Sequence, residues 1–213
     1  MIQTIAISAL PVIFAITLHE AAHGYAARHF GDPTAWLEGR ISLNPLRHID
    51  PLGTILIPIL ILFFSGGAFL FGYAKPVPVN FSRLRKPKQD MFWVAAAGPL
   101  ANLAMAFFWA ALFKLAWVMP TNDFTLPLSA MAKAGILVNC VLMVLNLFPL
   151  PPLDGGRIAV SLLPYSYAWR FAQLERWGFP ILLLLMFTGI LGAVMNPLVT
   201  SVMQVIEVIF GLY

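Results

Sequence analysis

The sequence predicts an all-α polytopic membrane protein with about five to six membrane segments, one of them a possible re-entrant segment. Three observations carry this reading. Of 213 residues, 60% are hydrophobic and 10% charged, where a soluble domain carries about 25% charged residues. Mean hydropathy is +0.84. Apolar runs close to the roughly 20 residues needed to cross a bilayer recur along the chain, joined by connections too short for a separate soluble domain. Residues 1–213 therefore read as a single membrane domain. Its one cysteine, Cys140, excludes an intramolecular disulfide and any multi-cysteine metal cluster. The net charge of +4 is no argument for nucleic acid, because Lys and Arg beside membrane crossings normally encode orientation.

The first apolar run, residues 2–18, passes without a break into His19-Glu20-Ala21-Ala22-His23. It lacks the basic n-region of a signal peptide and reads as a retained transmembrane helix. From Arg28 to Asp50-Pro51 the chain is polar and irregular, with Gly31-Asp32-Pro33, Gly39-Arg40 and Asn44-Pro45 as turn signals. Residues 52–73 are apolar but broken by Pro58 and Gly66-Gly67. The alternation Lys75-Pro76-Val77-Pro78-Val79-Asn80 then suggests extended backbone rather than helix. Residues 92–119 and 128–148 read as full crossings. The second ends in Pro149-Leu150-Pro151-Pro152-Leu153-Asp154-Gly155-Gly156, where prolines remove backbone donors and a helix must stop. Residues 179–194 and 197–213 complete the set as accessory helices, with Asn196-Pro197 expected as the turn between them.

Charge gives an orientation. Eleven of the 13 Lys and Arg residues lie around 28–50, 75–90 and 157–176, leaving Lys114 and Lys133 opposite. The positive-inside rule puts those three segments in the cytoplasm and the N-terminus outside. Segments 28–50 and 75–90 then share a side, so residues 52–73 re-enter and return or lie shallowly rather than cross once; the alternative is that the positive-inside rule fails at one loop.

Ionisable side chains are costly inside a bilayer and therefore point to function. His19 and His23, four apart, share one helix face. In His-Glu-x-x-His two imidazoles at that spacing bind one Zn²⁺, and the adjacent Glu20 can handle the proton of an attacking water. A catalytic zinc has three protein ligands. His29, ten residues past His19, lies about 15 Å away along a continued helix. His48, Asp50 and Asp154 remain, of which Asp154 is best placed, in Pro/Gly-broken chain just after a membrane helix. The competing reading of Asp154 is a helix-terminal acid paired with Arg157. His48 reads as a loop histidine paired with Asp50.

His19-Glu20-Ala21-Ala22-His23 and Asn146-Leu147-Phe148-Pro149-Leu150-Pro151-Pro152-Leu153-Asp154-Gly155-Gly156 together resemble the two signatures of the site-2 protease family, the intramembrane zinc metalloproteases of peptidase family M50. Gly98-Pro99-Leu100-Ala101-Asn102 resembles that family's third motif. The chain is similar to the compact bacterial and archaeal form without PDZ or CBS domains, with a catalytic core at about 1–160 and accessory helices at about 165–213. The resemblance implies one Zn²⁺ per chain held by His19, His23 and Asp154, Glu20 as general base and acid, and Asn146 as a substrate-binding residue. For Asn146 an inter-helix hydrogen bond is an almost equal reading. Asn102 reads as packing, since Ala97, Gly98 and Ala101 let helices approach and its amide can bond across them. The stretch Gly72-Tyr73-Ala74-Lys75-Pro76-Val77-Pro78 resembles the family's β segment, which implies a small membrane-associated β hairpin whose edge would take up an unwound substrate.

The implied function is endopeptidase cleavage of a transmembrane protein within or near the bilayer, in a bacterial or archaeal cell membrane, with the active site toward the cytoplasm. A separate regulatory membrane protein is a further expected partner, besides the lipid bilayer. The alternative is a non-hydrolytic zinc-binding membrane protein or a metal transporter. A transporter should line a path across the bilayer with ionisable groups, whereas here they cluster at one depth. A serine intramembrane protease finds no Gly-flanked serine with a partnered histidine.

Overall fold

A computed structural model describes residues 2–64, 72 and 74–212. α1 (Ile2–His29) is followed by α2 (Thr34–Leu37) and a 3₁₀ turn at Pro45–His48. A π-helical stretch at Pro51–Leu56 leads into α3 (Ile57–Phe64). A second 3₁₀ turn at Phe81–Arg83 precedes α4 (Pro87–Val118), α5 (Thr125–Asn146), α6 (Asp154–Leu162), α7 (Tyr165–Ala172), α8 (Glu175–Phe187) and α9 (Ile190–Phe210). Among the described residues, four helices are long and apolar enough to cross a membrane: α1 over Ile7–His29, α4, α5 and α9. At 1.5 Å per residue the 13 residues of α8 span about 20 Å, short of the ~30 Å hydrocarbon core.

α4 is the central helix. It opens with Pro87 at its first turn, and the Lys86 N–H donates to Asp90 Oδ2 at 2.7 Å. α4 packs on α1, α5, α6 and α9, and α1 and α5 also pack on each other. The main core gathers Trp109, Ile136, Cys140, Met143, Leu182, Leu191 and Ile206 from α4, α5, α8 and α9. Gly135 makes the α4–α5 approach possible, because a Cβ there would stand 2.4 Å from the Trp109 ring. The turn from α5 to α6 is equally tight. Added Cβ atoms at Gly155, Gly156 and Gly178 would fall 2.2 Å from Leu147 O, 2.2 Å from Pro151 N and 1.8 Å from Pro151 O respectively.

The broken apolar segment returns to where it began. The Lys75 N–H donates to His48 O at 2.9 Å, and Gly72 lies so close to α3 that a Cβ would be 2.5 Å from Pro58 Cγ. Entry and exit of the excursion therefore adjoin at one end of the bundle. The expected break at Gly66-Gly67 lies outside the described residues, as does Tyr73.

Residues 74–80 form no helix, and no strand ladder forms among the described residues; Asn80 has extended backbone at φ −98° and ψ 93°. The segment lies against α1 and the 28–50 loop instead. The Asn80 N–H reaches buried Asp32 at 2.6 Å and Arg40 Nη2 donates to Lys75 O at 3.1 Å. Burial alone would raise the Asp32 pKa. Hydrogen bonds from the Thr34 side chain, the Asn80 N–H and the Thr34 N–H, with the charge of Arg83, hold its carboxyl below the ordinary value.

One expected boundary is corrected. Asn196-Pro197 is not a turn: Pro197 sits inside α9, and the chain turns at Thr188-Gly189, where Gly189 has φ +76°. Glycine takes that left-handed conformation without strain. The backbone bond lost at a proline is tolerated within a long membrane helix.

Candidate metal centre

His19 and His23 sit one turn apart on α1 and turn their rings toward α4, edge to face with centroids 4.7 Å apart. Asp154 approaches from the first residue of α6, placed by the tight turn that ends α5. His19 Nε2 and His23 Nε2 are 3.1 Å apart. Asp154 Oδ2 lies 3.2 Å from the first and 3.3 Å from the second. The three residues are only 7%, 9% and 7% exposed in that order, so bulk water does not screen the cluster.

The outer ring nitrogens decide what the inner ones present. His19 Nδ1 contacts Asn102 Oδ1 at 2.6 Å, and His23 Nδ1 contacts the Val94 carbonyl at 2.7 Å. A carbonyl oxygen only accepts, so each Nδ1 carries the proton and a neutral ring offers a bare lone pair at Nε2. The Asn102 amide is not free to turn over, since its Nδ2 donates to Ala15 O at 3.2 Å and to Asn139 Oδ1 at 3.0 Å. Two lone pairs and a carboxylate oxygen thus converge. Asp154 Oδ2 is buried and receives no hydrogen bond from the described residues.

Three electron-rich atoms at such distances repel one another unless a cation lies among them, and the donor set fits zinc. With zinc–ligand bonds of about 2.0–2.1 Å, the edge of a tetrahedron is about 3.3–3.4 Å. The observed separations of 3.1, 3.2 and 3.3 Å lie close to it. The α4 side of the cluster is formed by Gly98, where a Cβ would stand 2.4 Å from His23 Nε2 and 2.6 Å from His19 Nε2.

The fold therefore brings together His19, His23 and Asp154, the three residues expected as ligands. Arg157 is not the partner of Asp154: its guanidinium lies 5.5 Å over the Phe81 ring. Glu20 is half-buried and its Oε2 accepts the Val77 N–H at 2.8 Å. Asn146 is half-buried and donates to Leu142 O in its own helix at 2.9 Å. His48 does not pair with Asp50. It contacts Ser42 O at 2.8 Å, while Asp50 accepts the Leu52 and Gly53 N–H groups at the start of the π-helical stretch. That end of the helix leaves its amides without partners, and Asp50 is the adjacent acceptor. His29 is exposed on the Phe30 ring.

Sequence reasoning missed Asn102 as a support for His19, treating it as packing alone, and passed over Asn139 and the Val94 carbonyl. The available signals were the four-residue spacing of Gly98 and Asn102, which puts both on one face of α4, and a buried amide in the middle of apolar α5.

Among known proteins, YwhC of Bacillus subtilis, a proposed zinc metalloprotease by name, is 38% identical over 208 residues, covering 94% of this chain and 91% of the relative. Rip2 of Mycolicibacterium smegmatis, named in the same way, is 32% identical over 181 residues, 84% of this chain and 66% of Rip2. Rip2 of Mycobacterium tuberculosis is 31% identical over 147 residues, 67% of this chain and 52% of Rip2. Neither a family model nor a solved structure matches. With near full-length identity to a protein named for zinc proteolysis and its own polar groups converging between membrane-length helices, the chain belongs to the site-2 protease family of zinc metalloproteases.

Proposed function

We propose that the chain is a zinc-dependent intramembrane endopeptidase that cuts transmembrane proteins within or near the bilayer, holding one zinc through His19, His23 and Asp154. The observation that carries the reading is the buried triangle of two imidazole lone pairs and one carboxylate oxygen, set between helices long enough to cross a membrane. When bound there, zinc supplies Lewis acidity toward a peptide carbonyl and makes a water nucleophile available near neutral pH.

The protein's own groups do the rest. Glu20 follows His19 directly and serves as general base toward the water and then as general acid toward the departing amine. The Val77 amide holds Oε2, and among the described residues Oε1 has no hydrogen-bond partner and is the atom that takes and returns the proton. Asn146 has a second Nδ2 hydrogen and its Oδ1 beyond the bond to Leu142 O, and these are available to a substrate backbone. A helical substrate hides its carbonyls in its own hydrogen bonds, so it must unwind before attack. Residues 74–80 lie beside Glu20, which holds the Val77 N–H, and offer backbone carbonyls to a chain so opened. The lysine and arginine distribution supports an active site facing the cytoplasm.

The test is zinc content together with cleavage of a transmembrane substrate in detergent. The wild type should hold about one zinc and cut. Glu20→Gln should keep the zinc and lose cleavage, and Asp154→Ala should lose zinc affinity. Normal cleavage by Glu20→Gln refutes the role of Glu20. Zinc transport without cleavage refutes the protease reading.

A further inference from the structure

The amide supporting His19 does not stand alone. Asn139, fully buried in the middle of α5, donates its Nδ2 to Gly135 O at 2.9 Å, one turn back on its own helix. That bond fixes which end of the Asn139 amide faces α4, leaving Oδ1 to accept from Asn102 Nδ2 at 3.0 Å. Asn102, equally buried, then shows Oδ1 to His19 Nδ1 at 2.6 Å. Each amide in this row passes on an orientation that begins at a helix backbone carbonyl and ends at an imidazole.

Reversal of the Asn102 amide would put N–H groups against His19 Nδ1. The ring would then have to accept at Nδ1 and carry its proton at Nε2, where it would point into the cluster and block a metal. Two acceptors hold the amide the other way: Ala15 O at 3.2 Å and Asn139 Oδ1 at 3.0 Å. The Asn139 contact is the shorter. In the low-dielectric interior of a helix bundle, an amide left facing the wrong way loses hydrogen bonds that water cannot replace.

We propose that Asn139 is a positioning residue for the metal centre: acting through Asn102, it sets the His19 tautomer so that Nε2 offers a lone pair to zinc. Among the described residues, the side-chain hydrogen bonds of Asn139 go to Gly135 O and Asn102 Nδ2, not to His19, His23 or Asp154. This rests on the zinc reading above and extends it two residues outward. Outer partners of metal-bound histidines typically contribute 10–100-fold to metal affinity.

A double-mutant cycle read in zinc affinity tests this. Affinity is measured by chelator competition on the purified full-length protein in detergent, with a thermal unfolding midpoint for each variant. Asn139→Leu should weaken zinc binding about 10-fold. Asn102→Ala removes the amide through which Asn139 would act on His19. In that background Asn139→Leu should change affinity by less than about 2-fold. If Asn139→Leu does not accumulate, Asn139→Ala, which adds no bulk, carries the same cycle. Equal losses in both backgrounds mean that Asn139 acts only through packing and overturn the proposal. Unchanged affinity in Asn139→Leu, with the wild type binding zinc normally, also overturns it while leaving the zinc reading intact. A wild type that binds no zinc overturns both.

Discussion

A methyl group added at Gly98 would enter the proposed metal centre directly. The Cβ of Gly98→Ala would stand 2.4 Å from His23 Nε2, 2.5 Å from His19 Cε1 and 2.6 Å from His19 Nε2. Ordinary contact begins at about 3.5 Å, so both imidazoles, or α4 itself, must retreat by roughly 1 Å. Zinc–nitrogen bonds of about 2.0–2.1 Å tolerate about 0.2 Å of error, several times less than this displacement. Shifting α4 offers no escape, because the same helix supplies Asn102 Oδ1 and Val94 O to the two rings. The expected loss is at least about 100-fold in zinc affinity, equivalent to ~2.8 kcal/mol. Helix propensity works the other way, favouring alanine over glycine by about 1 kcal/mol in a helix interior, so the variant should fold with helical content unchanged. Chelator competition gives the affinity, and circular dichroism with a thermal midpoint gives the fold. A folded Gly98→Ala protein with wild-type zinc affinity would refute the placement of the metal among His19, His23 and Asp154.

Three further outcomes follow from other contacts. Gly135→Val should lower the thermal midpoint and cost roughly 1–3 kcal/mol, because its Cβ meets the Trp109 ring at 2.4 Å; an unchanged midpoint would show that α4 and α5 do not pack as described. Asp32, whose carboxyl is held below its ordinary pKa, stabilises the folded chain above its unfolded value of about 3.9, and this is lost as pH falls through the lower folded value. Asp32→Asn should therefore be less stable than wild type near neutral pH, with the gap narrowing in acid; a gap constant with pH sinks the argument. Finally, a substrate helix carrying Pro or Gly beside the scissile bond should be cut faster than its Leu or Ala counterpart in the same detergent, since less unwinding remains to be done. Equal rates would remove unwinding from the rate-determining steps.

Much of the site was legible in the sequence because its decisive spacings are local. Two histidines four apart on a helix, with an acid between them, can be recognised without tertiary information. Asp154 was legible because prolines and glycines announce a broken helix at a membrane end. The approach of Lys75 to His48 agrees with the placement of Lys and Arg on one side of residues 52–73. Asn139 was not legible: a lone asparagine in an apolar helix has several possible partners, and only the packing of α4 on α5 chooses Asn102. The turn at Gly189 was missed because Pro197 is the stronger local breaker, yet a proline's missing bond is confined to one turn while a left-handed glycine redirects the whole chain. His48 was paired with Asp50 on proximity in sequence, whereas the unpaired amides at Leu52 and Gly53 claimed that carboxylate.

The prolines beside Val77 also limit what this stretch can pair with. The Lys75 and Val77 N–H groups are already spent on His48 O and Glu20 Oε2, and Pro76 and Pro78 have no N–H to give. Residues 75–78 can therefore offer an opened peptide carbonyls only. A ladder built from one partner's donors alone does not propagate, so backbone is available beside Glu20 without serving as a template for sheet growth between copies.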